Sequence, residues 1–168
     1  ETAKILNKEN EPEIEIVNGV PKTCCDDPLN CPLMTERCDQ TNVIYQADVY
    51  AENRVMSYYG LTENEFKKRC SVHKTSFRNI KYNHTTLSSY IWKLKDKESP
   101  WYVNWSIKAR GHAFSSGGRA CDLCLSEKLA ILTADPFTML NKRDELLETC
   151  RHRRKHLLVS LFKPPRKK

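Results

Sequence analysis

The chain lacks any run of 18 or more apolar residues, so no segment could cross a bilayer as a single helix. Its N-terminus lacks the basic-then-apolar pattern of a secretory signal. It begins with Glu1 rather than Met, from which we expect a piece of a longer polypeptide. No internal repeat is present either, and 168 residues predict one domain with an appendage.

Acidic residues are missing from the C-terminal end, where residues 151–168 hold eight basic residues and no acidic one. The first 40 residues hold nine acidic and four basic residues, a net −5, and the rest hold twelve and twenty-four, a net +12, which together give +7. A surface this basic attracts a polyanion, and nucleic acid is the commonest one. The alternative is a basic surface of the ribosomal type, or one that serves only solubility.

The eight cysteines would allow four disulfides in a secreted protein. The missing signal and the cysteine spacings favour a reducing compartment and metal binding instead. Cys121 and Cys124 have the spacing of metal ligands, and Cys150 and His152 follow downstream, which predicts a Cys₃His zinc site. Two buried thiols without a metal are the simpler interpretation of Cys121 and Cys124. Alternatives for the fourth ligand are His112 and His156.

Residues 1–22 are polar and acidic, and we interpret them as a linker that is flexible. Residues 23–40 are rich in Cys, Asp and Pro and have almost no apolar periodicity, so they need a cross-link to hold a shape. We predict a second structural zinc site in this segment, formed by Cys24, Cys25, Cys31 and Cys38. Adjacent cysteines rarely bind one tetrahedral ion without strain, so a residue elsewhere could replace one of the first two.

Regular patterns begin at residue 41 and predict an α+β domain over residues 41–150, followed by a basic tail at 151–168. A capping-box pattern, Thr62 with Glu65, marks the start of the first helix. Strand composition and alternation predict a hairpin and a third strand, at 43–50, 55–60 and 101–107. Apolar spacing and end signals predict helices at 63–74, 86–95, 123–132 and 141–152.

Four polar side chains of the hairpin and the first helix form a candidate constellation. Tyr45 and Tyr58 lie on neighbouring strands, where they can share a face. Arg69 and His73 are one helical turn apart. Phosphodiester cleavage needs a base that deprotonates the attacking water and a cation that neutralises the charge at phosphorus. The leaving oxygen must also be stabilised. A phenol or imidazole, a guanidinium and a carboxylate that holds Mg²⁺ can supply these.

Each residue alone has a simpler interpretation, because hairpin tyrosines usually pack and helical Arg, His or Glu residues usually face solvent. Together, Val43-Ile44-Tyr45, Tyr58-Tyr59-Gly60, Arg69, His73, Glu127 and Asn141 resemble the signature of the GIY-YIG nucleases over about residues 42–145. Val43 stands where the family name has Gly, and Tyr59 stands where it has Ile.

Longer stretches are similar to the endonuclease at the end of Penelope-like retroelement proteins, and the Cys-rich segment is similar as well. They are Tyr59-Gly60-Leu61-Thr62, Phe66-Lys67-Lys68-Arg69, Tyr90-Ile91-Trp92-Lys93-Leu94-Lys95, Cys121-Asp122-Leu123-Cys124-Leu125-Ser126-Glu127-Lys128-Leu129 and Leu140-Asn141-Lys142-Arg143.

The resemblance implies the GIY-YIG fold, a small central antiparallel three-stranded sheet flanked by helices. It implies that Tyr45 is the general base or orients the water, and that Tyr58 helps to place the nucleophile or the scissile phosphate. Arg69 would neutralise phosphate charge, and His73 would contact the phosphate or relay a proton. Glu127 would bind the catalytic Mg²⁺ or Mn²⁺. Asn141 would support the site structurally.

The resemblance also implies double-stranded DNA as partner, a reverse transcriptase fused to the nuclease in the parent polypeptide, and a nuclear location. The expected step is a nick whose 3′-OH primes reverse transcription. Without a recognisable base-reading helix, phosphate contacts should dominate binding. The residues expected to contact DNA are Lys67, Lys68, Lys74, Arg78, Arg151, Arg153, Arg154 and Lys155. The alternatives are nuclear import for the tail, and a catalytically inactive, zinc-stabilised nucleic-acid-binding module.

Overall fold

The computed structural model describes residues 16–17, 20–21, 31–33, 36–112, 121–142 and 150. Its elements are β1 (Ile16–Val17), β2 (Val20–Pro21), β3 (Val43–Ala51), β4 (Arg54–Thr62), α1 (Phe66–Arg78), α2 (Thr86–Asp96), β5 (Trp101–Arg110) and α3 (Asp122–Thr133), with a 3₁₀ turn at Ile80–Tyr82. The predicted α+β class with three main strands is confirmed. Within this part of the chain, no helix is both long and apolar enough to cross a membrane.

The main sheet has three antiparallel strands in the order β4-β3-β5. A two-residue turn, Glu52-Asn53, joins β3 to β4, and both residues have positive φ (50° and 58°), as the tightest hairpin turns require. The predicted hairpin is therefore correct, and β5 adds to the outer side of its first strand. In the segment interpreted as a linker, β1 pairs separately with β2.

The central strand β3 is buried on both faces because helices cover both. One face carries Tyr45 and Ala47, which pack with Phe66, Cys70 and Phe77 of α1 and with Leu87, Ile91 and Leu94 of α2. The opposite face carries Ile44, which packs with Leu61, with Leu123 and Cys124 of α3, and with Cys121 and Cys150. Neighbouring residues of one strand thus belong to two separate cores.

The start of α1 differs from the prediction: the helix begins at Phe66, three residues later than expected, and the capping box is wrong. Thr62 is still in β4, and Glu65 makes no side-chain cap bond. Instead, the first helical N–H groups, of Phe66 and Lys67, donate to the carbonyls of Gln40 and Cys38 at 2.9 and 2.7 Å. The backbone of the preceding segment therefore caps this helix.

The end of α1 lies four residues beyond the predicted Lys74 because α2 stabilises it. The indole of Trp92 donates to the carbonyl of Ser76 at 2.9 Å, and the amine of Lys95 donates to the carbonyl of Phe77. Lys95 also lies 4.3 Å above the Trp92 ring. These contacts satisfy carbonyls that would otherwise be orphaned at a helix C-terminus.

The remaining predicted elements agree with the structure apart from their ends. Helix α2 is as predicted, and its capping box consists of Thr85 and Ser88. Strand β5 continues to Arg110, and α3 matches the third predicted helix. The fourth helix is predicted to begin at Asn141, but residues 141 and 142 are not helical, and residues 143–149 lie outside the described part.

Candidate functional site

The hydroxyl of Tyr45 lies between two side chains of α1. Its oxygen is 2.8 Å from Nε2 of His73, and it accepts a hydrogen bond of 3.0 Å from Nε of Arg69. The predicted one-turn spacing of Arg69 and His73 therefore brings both onto the same phenol. The side chains of Tyr45 and His73 are buried, with 0% and 1% exposed, whereas Arg69 is half-buried.

Gly60 is the residue that makes room for this phenol. It pairs with Tyr45 across the hairpin, and a Cβ at this position would lie 2.5 Å from the Tyr45 hydroxyl oxygen and 2.6 Å from Cζ. The Tyr45 ring can therefore lie over β4 only where β4 has no side chain. The glycine of Tyr58-Tyr59-Gly60 thus has a steric cause, which cannot be recognised in the sequence alone.

Aromatic rings surround Tyr45. The Tyr58 ring lies 6.5 Å from it and 5.9 Å from the His73 ring, measured between centroids. Phe66 and Trp105 lie 5.4 and 6.0 Å from Tyr45. Tyr58 is buried as well. These rings fix the orientation of Tyr45, and the supporting roles of Phe66 and Trp105 could not be recognised in the sequence.

Electrostatics define the protonation state of this cluster. Burial, together with the nearby charge of Arg69, lowers the pKa of His73 from 6.5 to about 3, so the imidazole is neutral at physiological pH. A guanidinium can only donate, so the Tyr45 oxygen is the acceptor in the bond with Arg69. A neutral imidazole can then accept the phenol's proton, which gives a hydrogen-bond chain from Arg69 through Tyr45 to His73.

Arg69 also experiences the charge of Glu127 on α3. Burial acts to lower the pKa of Arg69, but Tyr45, Tyr58 and Glu127 together raise it above its ordinary value. Glu127 is itself half-buried, and α3 packs against β4 and β3. The charge of the candidate carboxylate therefore acts on the candidate guanidinium, although α3 and α1 pack on opposite faces of the sheet.

An open cleft of about 470 Å³ lies beside this arrangement. Its walls are the end of β4, the turn that follows and the first turns of α1, with Lys68, Arg69 and Val72 among the lining residues. Arg69 thus belongs both to the cleft and to the buried cluster. An anion in the cleft would meet the guanidinium of Arg69 and the amine of Lys68, but also the carboxylate of Glu63, which lines the cleft too. Tyr45 and His73 lie behind it.

Asn141 attaches a late segment of the chain to β4. Its amide accepts from the N–H of Tyr59 at 2.7 Å and donates to the carbonyl of Tyr59 at 2.9 Å. Next to it, the N–H of Ser57 donates to Thr138 O at 2.7 Å, and the N–H of Leu140 donates to Ser57 O at 2.8 Å. The segment therefore satisfies the outer edge of the sheet beside Tyr58.

Cys121, Cys124 and Cys150 form a buried group in which the sulfur atoms all lie within 4.8 Å of one another, so they could bind a metal such as zinc. The Cys124 and Cys150 sulfurs are 3.6 Å apart. Zinc–sulfur bonds of about 2.3 Å in a tetrahedron place sulfurs about 3.8 Å apart, whereas a disulfide needs about 2.05 Å. The spacing fits ligands of one ion.

In this structure, His112, one candidate for the fourth ligand, does not lie with these three thiols. The His112 side chain is 95% exposed and lies against Asp122, with Nδ1 2.8 Å from the carboxylate. This contact, together with a bond from the His112 N–H, lowers the pKa of Asp122. The other two candidates, His152 and His156, lie outside the described residues.

The remaining predicted site residues are only partly described. Cys38 is buried in the main core and Cys31 packs against it, but Cys24 and Cys25 lie outside the described part. On α1, Lys67 and Lys68 form ion pairs with Glu65 at 3.5 and 3.1 Å. The other candidate DNA-contacting residues are Lys74 and Arg78, which are exposed, and Arg151, Arg153, Arg154 and Lys155, which are not described.

Comparison with known proteins adds no relative to this picture: no family model matches the chain, and no significant match exists among the curated proteins or the solved structures.

Proposed function

We propose that the chain is a metal-dependent DNA endonuclease of the GIY-YIG type that hydrolyses one phosphodiester bond. The observation that carries this proposal is the position of Arg69. Its guanidinium is held by the buried Tyr45, it lines an open cleft, and its pKa is raised in part by Glu127. A guanidinium that a buried group orients at the wall of a cleft can stabilise the charge of a pentavalent phosphorus.

In this proposal, Arg69 binds a non-bridging oxygen of the scissile phosphate. The bond from its Nε to Tyr45 leaves the two terminal nitrogens of the guanidinium to donate to phosphate. Lys68 lines the same cleft, paired with Glu65, and could turn to a second phosphate oxygen. The role of Tyr45 that this structure supports best is therefore to orient Arg69.

The pair of Tyr45 and His73 also provides a route for a proton. A neutral, buried imidazole 2.8 Å from the phenol can accept its proton when the phenol takes one from an attacking water. Because Tyr45 is 0% exposed, that water reaches the phenol only if bound DNA opens the cleft wall at Arg69. Tyr58 lies against both rings and would place the nucleophile.

Glu127 is the carboxylate that would hold the catalytic ion. Glu127 is half-buried and its charge acts on Arg69, which lines the cleft. One such carboxylate suits Mg²⁺ or Mn²⁺, because these ions commonly keep several waters and bind one or two carboxylates plus substrate phosphate. The ion would supply neutralisation of the leaving oxygen and a more acidic water. The contribution of the chain is to place Glu127 near Arg69.

The three thiols of Cys121, Cys124 and Cys150 would have a structural role in the same enzyme. Cys124 and Glu127 are three residues apart on α3, so an ion at the thiols would hold the helical turn that positions Glu127. We assign zinc to this site, with His152 as the fourth ligand. A second zinc would be bound by Cys24, Cys25, Cys31 and Cys38.

Double-stranded DNA is the proposed substrate. The basic side chains of α1 and of the tail would contact its phosphates. In the retroelement interpretation, the nuclease acts in the nucleus as part of a reverse transcriptase polypeptide, and the nick provides its primer. A specific observation favours one alternative. The burial of Tyr45 and His73 is also what a nuclease fold without activity, retained as a zinc-stabilised DNA-binding module, would have.

Nicking of supercoiled plasmid in Mg²⁺ or Mn²⁺ separates the two functions. We expect the wild type to nick, EDTA to abolish nicking, and Glu127→Gln and Arg69→Ala to lose at least about a hundredfold in rate, as for single groups that stabilise a transition state. Matched controls are Asp96→Asn and Arg54→Ala, which change an exposed acid and an exposed base away from the cleft.

The control variants should nick like the wild type. DNA binding of all five proteins is measured in parallel by fluorescence anisotropy in Ca²⁺. If wild-type protein binds DNA but nicks no faster than Glu127→Gln, the enzyme is excluded and the binding module is favoured.

A further inference from the structure

Helix α3 has an exposed apolar stripe. Leu125, Leu129 and Leu132 follow one another at spacings of four and three residues, so they share one face, and they are 47%, 58% and 68% exposed. Phe137, in the turn after the helix, is 89% exposed. We refer to these four residues as the α3 stripe.

The other side of α3 is apolar as well. Leu123, Cys124 and Ile131 are buried there against the sheet. A helix with apolar residues on opposite faces is normally covered on both. Exposed single leucines are common on protein surfaces, but a row that runs along a helix and into the next turn marks an interaction site.

The sequence after Cys150 supplies a segment that could cover the stripe. The Cys150 sulfur lies 3.6 Å from that of Cys124, so the chain returns to the first turn of α3 at this point. Residues 151–155 are almost all basic, and residues 157–162 are apolar except for one serine. Pro164 and Pro165 follow. Residues 151–168 lie outside the described part.

Chain length permits the contact. With His152 as the fourth ligand at the thiols, the five residues from His152 to Leu157 can span up to about 17 Å, and residues 157–162 extend farther. The far end of the stripe, Leu132, lies about 12 Å along α3 from Cys124, and the helix is about 10 Å thick. Residues 157–162 can therefore pass around α3 from the three thiols and reach each leucine of the stripe.

We propose that residues 157–162 pack on the α3 stripe of the same chain. A second copy fits this surface less well, because a stripe of four side chains offers on the order of 400 Å², while a stable dimer buries roughly 800 Å² on each partner. A tethered segment needs less area, since its effective concentration is in the millimolar range.

This packing has a consequence for DNA contact, which rests on the proposed nuclease function. The basic residues 153–155 would be held at both ends, by Cys150 and His152 at the thiols and by the apolar segment on α3. They would then form a fixed line of positive charge beside the helix that carries Glu127, instead of a solvated tail.

Site-specific photo-cross-linking in the full chain tests the proposal without any measurement of nuclease activity. p-Benzoylphenylalanine replaces Leu129 in one protein and Leu132 in a second, so that one position remains if the other perturbs folding. After irradiation at low protein concentration, digestion and mass spectrometry locate the cross-linked residues. We expect intramolecular cross-links to residues 157–162.

The control carries the same probe at Val72, which is 57% exposed on α1 and outside the stripe. A second control is Leu161→Asp with Phe162→Asp, which should reduce the Leu129 cross-link to the level of the Val72 control. Cross-links that join two chains would make a second copy the occupant and would overturn the proposal. Protein with no cross-link to residues 157–162 at either position would also overturn it.

Discussion

Replacement of Gly60 by alanine tests the steric basis of the Tyr45 position. The added Cβ would lie 2.5 Å from the hydroxyl oxygen and 2.6 Å from Cζ of Tyr45, closer than atoms can approach. Phe66, His73 and Trp105 surround the ring, so it cannot turn aside without moving other side chains. Either the strands separate locally or Tyr45 leaves its hydrogen bonds.

The magnitude follows from these two options. Overpacking of a filled core costs about 1–3 kcal/mol. Loss of the bond between Tyr45 and His73, and of the charge-assisted bond from Arg69, costs about 2–4 kcal/mol in total. The opposing gain, from the lower unfolded-state entropy of alanine, is about 0.4–1 kcal/mol. We therefore expect Gly60→Ala to lower the free energy of unfolding by about 2 kcal/mol.

Equilibrium urea unfolding of four proteins measures this effect as a double-mutant cycle: wild type, Gly60→Ala, Tyr45→Leu and the double variant. Leucine lacks the ring atoms that the new Cβ would meet, so Gly60→Ala should be nearly neutral in the Tyr45→Leu background. The coupling energy should then be about 1.5–3 kcal/mol, within the range for residues in contact. A Gly60→Ala protein as stable as the wild type would refute the steric argument.

Three other predictions concern pH, the sheet edge and metal content. The pKa of His73 falls from 6.5 in the unfolded chain to about 3 in the folded one, so between these pH values the unfolded chain binds more protons. The free energy of unfolding should therefore drop by up to about 1.4 kcal/mol per pH unit as the pH falls below 6.5. His73→Gln should remove this part of the pH dependence, measured by urea titrations at several pH values. Asn141→Asp keeps an acceptor for the Tyr59 N–H but loses the donor to the Tyr59 carbonyl; it should destabilise by about 1–3 kcal/mol at pH 7, and equal stability of the variant would contradict the bonding described. Elemental analysis should find one zinc fewer per chain in Cys124→Ser than in wild type, whereas Cys70→Ser, which changes a buried cysteine of the other core, should keep the wild-type content.

The sequence was sufficient for those parts of the fold that depend on local pattern. Alternation and strand composition located β3, β4 and β5, and the one-turn spacing placed Arg69 and His73 on one side of α1. The start of α1 could not be predicted, because its cap consists of the carbonyls of Gln40 and Cys38. Carbonyl groups are present in every residue, so a cap made from them leaves no mark in the sequence.

Burial was the second feature that spacing could not reveal. The pattern placed Tyr45 and Tyr58 on one face of a hairpin, but whether that face is covered depends on how α1 and α2 pack on it. Both helices cover it, and Tyr45 is therefore an internal group. Similarly, the spacing of Cys121 and Cys124 suggested a metal site, but only the tertiary structure shows that Cys150 lies with them and that His112 contacts Asp122 instead.

The period of two in β3 links the two halves of the candidate site. Ile44 and Tyr45 are adjacent, so one contacts the core of α3 and the thiols while the other reaches Arg69 and His73. A shift of α3 on the Ile44 face would move Glu127 relative to Arg69, whose own position is fixed from the Tyr45 face. Loss of an ion at the thiols should therefore weaken the electrostatic interaction between Glu127 and Arg69. The hydrogen bond between Arg69 and Tyr45 should remain. This predicts that Cys124→Ser reduces nicking while the near-ultraviolet circular dichroism of the Tyr45 cluster is retained, and loss of that signal together with activity would instead mean that both cores unfold as one unit.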